Sequence, residues 1–113
     1  AMDAFAKARE LNPDGFETNF NYALMVVRIA DGKTEAFNKQ SFTSAEERDA
    51  AMAEIDAAYE KAIEPLEKAL AVNAQDPVTV ELLKSVCFRL RDKSPEMMSK
   101  FEKYDAMFKS MQQ

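Results

Sequence analysis

Residues that end helices are scarce in this chain of 113 residues. It contains 2 glycines and 4 prolines, whereas a sandwich or barrel of short strands needs a turn signal about every 8 to 12 residues. Between these residues, apolar side chains recur three and four positions apart, which is the period of an amphipathic helix. The sequence therefore predicts an all-α fold of antiparallel helical hairpins, and its length suits a single domain over residues 1–113.

The spacing of apolar residues predicts about five helical segments. They cover residues 1–12, 16–30, 45–72, 78–91 and 95–111. Residues 31–43 are either a continuation of the second helix or a loop, because Gly32 weakens a helix without forbidding one. If they are helical, we expect a turn near Phe42 and Thr43, between two lengthened helices.

Three local signals mark where helices begin or bend. Ser44 and Glu47 have the spacing of a capping box, which predicts a helix start near Ala45. Ser94 precedes Pro95, a proline suited to the first helical position. Pro65 lies inside the third segment, where it removes the hydrogen bond to the carbonyl of Lys61, so we expect a bend there.

The residue types exclude several kinds of chemistry. The chain has no histidine, a single cysteine and a formal charge of −5, so no Ser-His-Asp triad and no histidine-containing metal site is available. We expect no catalytic, cofactor-binding or metal-binding residues. The negative charge disfavours nucleic acid as a partner, and no apolar stretch reaches the length of a membrane span. Cys87, between Val86 and Phe88, is expected to be a small buried side chain.

One spacing occurs three times and identifies the family that this chain resembles. The three copies are Ala1-x3-Phe5-x2-Ala8-x4-Pro13, Ala62-x3-Leu66-x2-Ala69-x4-Ala74 and, more loosely, Met97-x3-Phe101-x2-Tyr104. This resembles the second helix of the tetratricopeptide repeat (TPR), and Asn21-Tyr22-Ala23 is similar to the Asn-Leu-Gly of the first helix. Small residues seven positions apart let neighbouring helices approach closely, with the bulky residue between them filling the gap.

The resemblance implies a right-handed α-solenoid of stacked hairpins. Residues 1–12 would be the end of a half repeat, 16–72 a full repeat with an insertion at about 30–58, and 78–113 a degenerate terminal pair. The chain is then expected to be the C-terminal fragment of a bacterial TPR protein, in the cytoplasm or exported. Lys84 stands where the family has a small residue, so we expect looser packing in the terminal pair.

The same resemblance implies a noncatalytic scaffold that binds a partner protein or peptide in a concave groove. The residues carried over to that groove are Glu17, Phe20, Leu24 and Arg28 from one helix, and Glu81, Ser85, Phe88 and Arg89 from a later one. An arginine in such a groove offers a planar set of donors for carboxylates. The alternative for Phe20, Leu24 and Phe88 is that they belong to the core.

Two other roles stay open on the sequence. The chain could be an accessory or regulatory segment of a larger enzyme, or a helical oligomerisation domain. Self-association would use the terminal helix, which is rich in methionine and phenylalanine, although the same residues also suit a core.

Overall fold

The structure, a computed structural model, describes residues 2–112. The predicted all-α class is confirmed, because these residues form helices and no strand. The helices are α1 (Met2–Leu11), α2 (Phe16–Lys39), α3 (Ala45–Glu60), α4 (Ile63–Val72), α5 (Pro77–Arg89) and α6 (Pro95–Met111). The predicted third segment is divided into α3 and α4. Ala1 of the first repeated motif lies outside the described residues.

The residues that cap the helices act largely as expected. Ser44 Oγ accepts a hydrogen bond from the Glu47 N–H at 3.1 Å, and the Glu47 carboxylate accepts one from the Thr43 hydroxyl at 2.6 Å. Ser94 Oγ accepts from the Met97 N–H at 3.2 Å. The two serine hydroxyls satisfy N–H groups that have no partner within their own helix, and so fix where α3 and α6 begin.

Of the two alternatives for residues 31–43, the helix is correct up to Lys39. Gly32 is an exposed position of the helix. Apart from its own helix backbone and chain neighbours, no atom lies within 4 Å of the place where a Cβ would be. Tertiary contacts offset its weak helix propensity. The Tyr59 hydroxyl of α3 donates to Asp31 at 2.5 Å and lies 3.3 Å from the Thr34 hydroxyl. The connection to α3 follows at residues 40–44, where the turn was expected.

Pro65 divides the long helix one turn before its own position. α3 ends at Glu60 and α4 begins at Ile63, because the proline nitrogen has no hydrogen to donate to the carbonyl of Lys61. The chain was expected to bend here within one helix; instead the helix is interrupted, and α3 and α4 are separate.

The core surrounds α4, which packs against α2 on one side and α5 on the other. Ala62, Leu66 and Ala69 of the second repeated motif are 0% exposed, and so are Ala23 and Ala30 of α2. Each helix packs on its neighbours along the chain: α1 on α2, α2 on both α3 and α4, α4 on α5, and α5 on α6. The alanines thus lie on helix faces that approach one another, as the spacing predicts.

The expectation of looser packing around Lys84 is wrong. α5 and α6 form the most extensive helix pair of residues 2–112. The Lys84 ammonium extends from α5 to 3.5 Å from the Asp105 carboxylate and 4.9 Å from the centre of the Phe108 ring, both on α6. A long side chain can cover apolar surface with its methylenes while its charge stays at the edge, so lysine replaces the small residue without separating the helices.

Tyr104 joins the terminal helix to α4. Its side chain is 2% exposed, and its hydroxyl donates to Glu67 at 2.5 Å, while the Lys100 ammonium donates to the same carboxylate at 3.0 Å. Burial and the contact with Glu67 raise the pKa of the Tyr104 phenol. The proton therefore stays on the phenol at neutral pH, and the hydrogen bond persists.

We expect Leu66→Asp to destabilise the domain by at least about 3 kcal/mol, because an unpaired carboxylate would replace a fully buried side chain. Urea unfolding followed by circular dichroism measures this change. The control is Val72→Asp in the same helix, where the side chain is 57% exposed and the expected cost is below about 1 kcal/mol. Equal losses in the two variants would contradict the described core.

Cys87 gives a pH-dependent test of the same core. The thiol is 0% exposed, and burial raises its pKa to about 11. A pKa raised on folding contributes stability that is present below the unfolded value and lost as the pH rises through the folded one. We therefore expect stability to fall above pH ~9, and Cys87→Ala to show a smaller fall.

Thiol-reagent kinetics measure the burial directly. At pH 8, Cys87 in the folded chain should react at least about 100-fold more slowly with a disulfide reagent than in urea, because reaction requires opening of the structure. A native rate equal to the unfolded rate would show that the thiol is accessible.

Candidate functional site

The first four predicted groove residues lie in a row along α2. Glu17 and Arg28 are exposed, whereas Phe20 and Leu24 are half-buried. The Phe20 ring stacks on Phe16, with ring centres 5.7 Å apart and planes 10° apart. The buried face of the helix is a different one, formed by Asn19, Ala23, Val26, Val27 and Ala30. The row therefore borders the core, with two half-buried apolar side chains and the exposed side chain of Arg28.

The later predicted residues lie on α5 and differ in exposure. Glu81 and Ser85 are exposed, and Phe88 is 47% exposed. Phe88 is thus a surface side chain rather than a core one. A phenylalanine with this much of its ring in solvent is a candidate contact for a partner, since large aromatic side chains dominate the energetics of interfaces.

Phe88 forms an open cleft with α6. The cleft has a volume of about 290 Å³ and is lined by Lys84, Ser85, Phe88 and Phe101. The two phenylalanine rings have centres 5.1 Å apart and planes tilted by 58°. The Arg91 guanidinium, in the turn after α5, lies 3.8 Å from the centre of the Phe88 ring and donates to the Phe88 carbonyl at 2.7 Å. The site combines aromatic walls with cations at its edge.

Lys84 is held at this cleft by charge. Hydrogen bonds from the Lys109 ammonium and then from Lys84 keep the pKa of Asp105 below its usual range. The carboxylate is therefore ionised at neutral pH and continues to attract the Lys84 ammonium, while the Lys84 side chain lines the cleft.

Arg89 lies away from the cleft and contacts α3 instead. Its Nε is 3.6 Å from Asp56 Oδ1, its Nη2 donates to the Met52 sulfur at 3.4 Å, and its guanidinium lies 4.9 Å from the centre of the Tyr59 ring. Burial, followed by the hydrogen bond to Asp31, raises the pKa of Tyr59, which keeps this hydroxyl a donor. In this arrangement Arg89 joins α5 to α3, and a role in partner binding stays a prediction.

The two predicted rows do not lie on helices that pack together. Within residues 2–112, α2 and α5 share no extensive contact, and α4 packs against both. The structure does bring Ser85 and Phe88 together, and it adds Lys84, Phe101 and Arg91 to them. The sequence analysis placed Phe101 in the third copy of the repeated motif, but the spacing gave no sign that its ring faces Phe88 across the interface.

Metal and membrane sites are not evident in the part of the chain that the structure describes. Residues 2–112 contain no group of three Cys, Asp or Glu side chains arranged to hold a metal ion. No described helix combines the length and the apolar character needed to cross a membrane.

Comparison with known proteins gives no relative for this chain. No protein-family model matches it, and neither a curated protein nor a solved structure does. The assignment of a function therefore rests on the geometry of the residues themselves.

Replacing Arg89 and Arg28 in turn tests whether Arg89 stabilises the fold while the exposed Arg28 does not. We expect Arg89→Met to lower the free energy of unfolding by about 1 kcal/mol, because the charge contacts with Asp56 and Tyr59 are lost while the apolar stem is kept. Arg28→Met should change it by less than about 0.5 kcal/mol. Chemical denaturation measures both, and a stability of Arg89→Met equal to that of the unaltered chain would exclude the bridging role.

Proposed function

We propose that this chain is a noncatalytic scaffold of stacked, TPR-like helical hairpins that binds a peptide segment of a partner protein. The order of packing supports the stacked arrangement, since the hairpin formed by α2 and α4 rests on α1 through α2, and the hairpin formed by α5 and α6 rests on α4 through α5. The buried alanines of the repeated motif support it further, because they occupy the positions at which TPR helices approach most closely.

The cleft beside Phe88 is the single observation that carries the binding role. A ring that is 47% exposed and faces a second ring across an open cleft leaves apolar surface in water that an apolar side chain of a partner would cover. Lys84 and Arg91 flank the rings. This favours a peptide in which a bulky apolar residue enters the cleft and a carboxylate lies next to it.

The α2 row extends the surface available to a partner. Leu24 is half-buried and Arg28 is exposed one turn away, so the row offers the same pairing of apolar surface and cation as the cleft. A partner that reaches both surfaces would gain affinity from simultaneous contacts.

The test is a quantitative pull-down with the purified chain, followed by identification and titration of the captured partner. We expect Phe88→Ser to weaken binding at least about tenfold, the loss for one well-placed aromatic contact. The matched control is Val78→Ser, which replaces another exposed apolar residue of α5, 51% exposed and outside the cleft, and should change affinity less than about twofold.

Thermal unfolding of Phe88→Ser and Val78→Ser shows whether both variants are folded when their affinities are measured. Phe88→Ser should remain folded, since nearly half of its side chain is already in solvent. A partner that binds the unaltered chain and Phe88→Ser equally well would refute the assignment of the cleft.

A further inference from the structure

A second groove lies between α2 and α3, and it shares no residue with the predicted TPR groove. It has a volume of about 230 Å³ and is lined by Tyr22, Val26, Ile29, Lys33, Ala58 and Lys61. Its floor is apolar, and Ile29 is 41% exposed.

The groove is long enough for a helix. Its four α2 residues follow one another at spacings of four, three and four, so they form a row on one face of α2. At a rise of 1.5 Å per residue, the row from Tyr22 to Lys33 extends about 16 Å, or three helical turns. An elongated apolar surface of this kind matches the regularly spaced apolar residues of an amphipathic helix better than it matches a compact small molecule.

The charges around the groove are unusual for this part of the chain. Residues 1–72 contain 14 acidic and 8 basic side chains, yet both charged residues that line the groove are lysines. Lys33 lies 3.0 Å from Glu54 and remains 41% exposed, and Lys61 is exposed and pairs with no carboxylate among residues 2–112. One lysine comes from α2 and the other follows the end of α3, so cations flank the apolar floor.

We propose that this groove docks an acidic amphipathic helix of a partner protein. The apolar side of that helix would cover Val26 and Ile29, and its carboxylates would lie beside Lys33 and Lys61. Apolar burial supplies affinity, while the two lysines select acidic helices over basic ones. The inference is independent of the proposed function, because none of its residues belongs to the Phe88 cleft.

Two synthetic peptides of about five helical turns serve as probes. Both carry leucine at alternating spacings of three and four; the first has glutamate at the remaining positions and the second has glutamine. Fluorescence anisotropy should show the glutamate peptide binding at least about fivefold more tightly than the glutamine peptide at low salt. This preference should diminish as salt is added, because screening weakens exposed charge pairs.

Protein variants locate the site. Lys61→Glu should weaken the glutamate peptide at least about fivefold. Lys7→Glu makes the same change of charge at an exposed lysine of α1 outside the groove, and should leave affinity within about twofold. Ile29→Ser should weaken both peptides, since it removes apolar surface that they share. Melting curves verify that all three variants are folded.

Each possible result has a definite meaning. Tighter binding of the glutamate peptide, weakened by Lys61→Glu but not by Lys7→Glu, supports the groove as the docking site. Absence of binding at about 1 mM peptide, equal losses in Lys61→Glu and Lys7→Glu, or loss of binding only in Phe88→Ser would overturn it. The last result would leave the Phe88 cleft as a peptide site, so failure of this inference and failure of the proposed function are distinguishable.

Discussion

The close approach of α4 to its neighbours is the contact on which the rest of the fold depends. Ala62, Leu66 and Ala69 are completely buried, and α4 packs against α2 on one side and α5 on the other. Alanine on an approaching face keeps the helices near each other, while Leu66 fills the space between the two small residues. Interiors are close-packed, so neither a larger residue at the alanines nor a smaller one at Leu66 is accommodated without cost.

Pro65 determines where this central helix begins. By ending the long helix before Ile63, it separates α4, which forms the core, from α3, which carries six of the eight acidic side chains of residues 45–72. α3 buries Ile55 and Tyr59 in the core, and polar contacts add to this: Tyr59 with Asp31 on α2, and Arg89 of α5 with Asp56. α3 is therefore held partly by contacts with residues far along the chain, and sequence spacing does not show these pairings.

Local features of the fold could be predicted from the sequence, whereas contacts between helices could not. Caps such as Ser44 and Ser94 and the interruption at Pro65 depend on residues a few positions apart, and there the physical rule is direct. The helix over residues 31–39 is supported by Tyr59, which lies in another helix 28 residues after Asp31. Local spacing does not show such a contact, so the sequence left both helix and loop open. The packing around Lys84 was predicted wrongly because the size of a residue does not show that its flexible side chain can lie along an interface.

Because contacts between helices could not be predicted, the candidate site was predicted only in part. The resemblance to the TPR assigned Ser85, Phe88 and Arg89 to one groove, with the core as the alternative for Phe88. One residue corresponds to a rotation of about 100° around a helix, enough to turn Arg89 toward α3 while Phe88 faces α6. Which neighbour lies on each side is a property of the packed structure, and only the packed structure distinguishes an arginine that binds a partner from one that joins two helices.

Surface apolar residues in this chain differ from core residues in position as well as in exposure. The fully buried set surrounds α4, whereas Phe88 lies on the α5–α6 side and Ile29 on the α2–α3 side. Cations accompany both exposed residues in a chain with an excess of acidic groups. Apolar surface bordered by cations favours acidic segments, so two separate faces can contact partners while the core remains unchanged. Under the proposed scaffold function, a partner could bind either face without displacing the residues that hold the fold together.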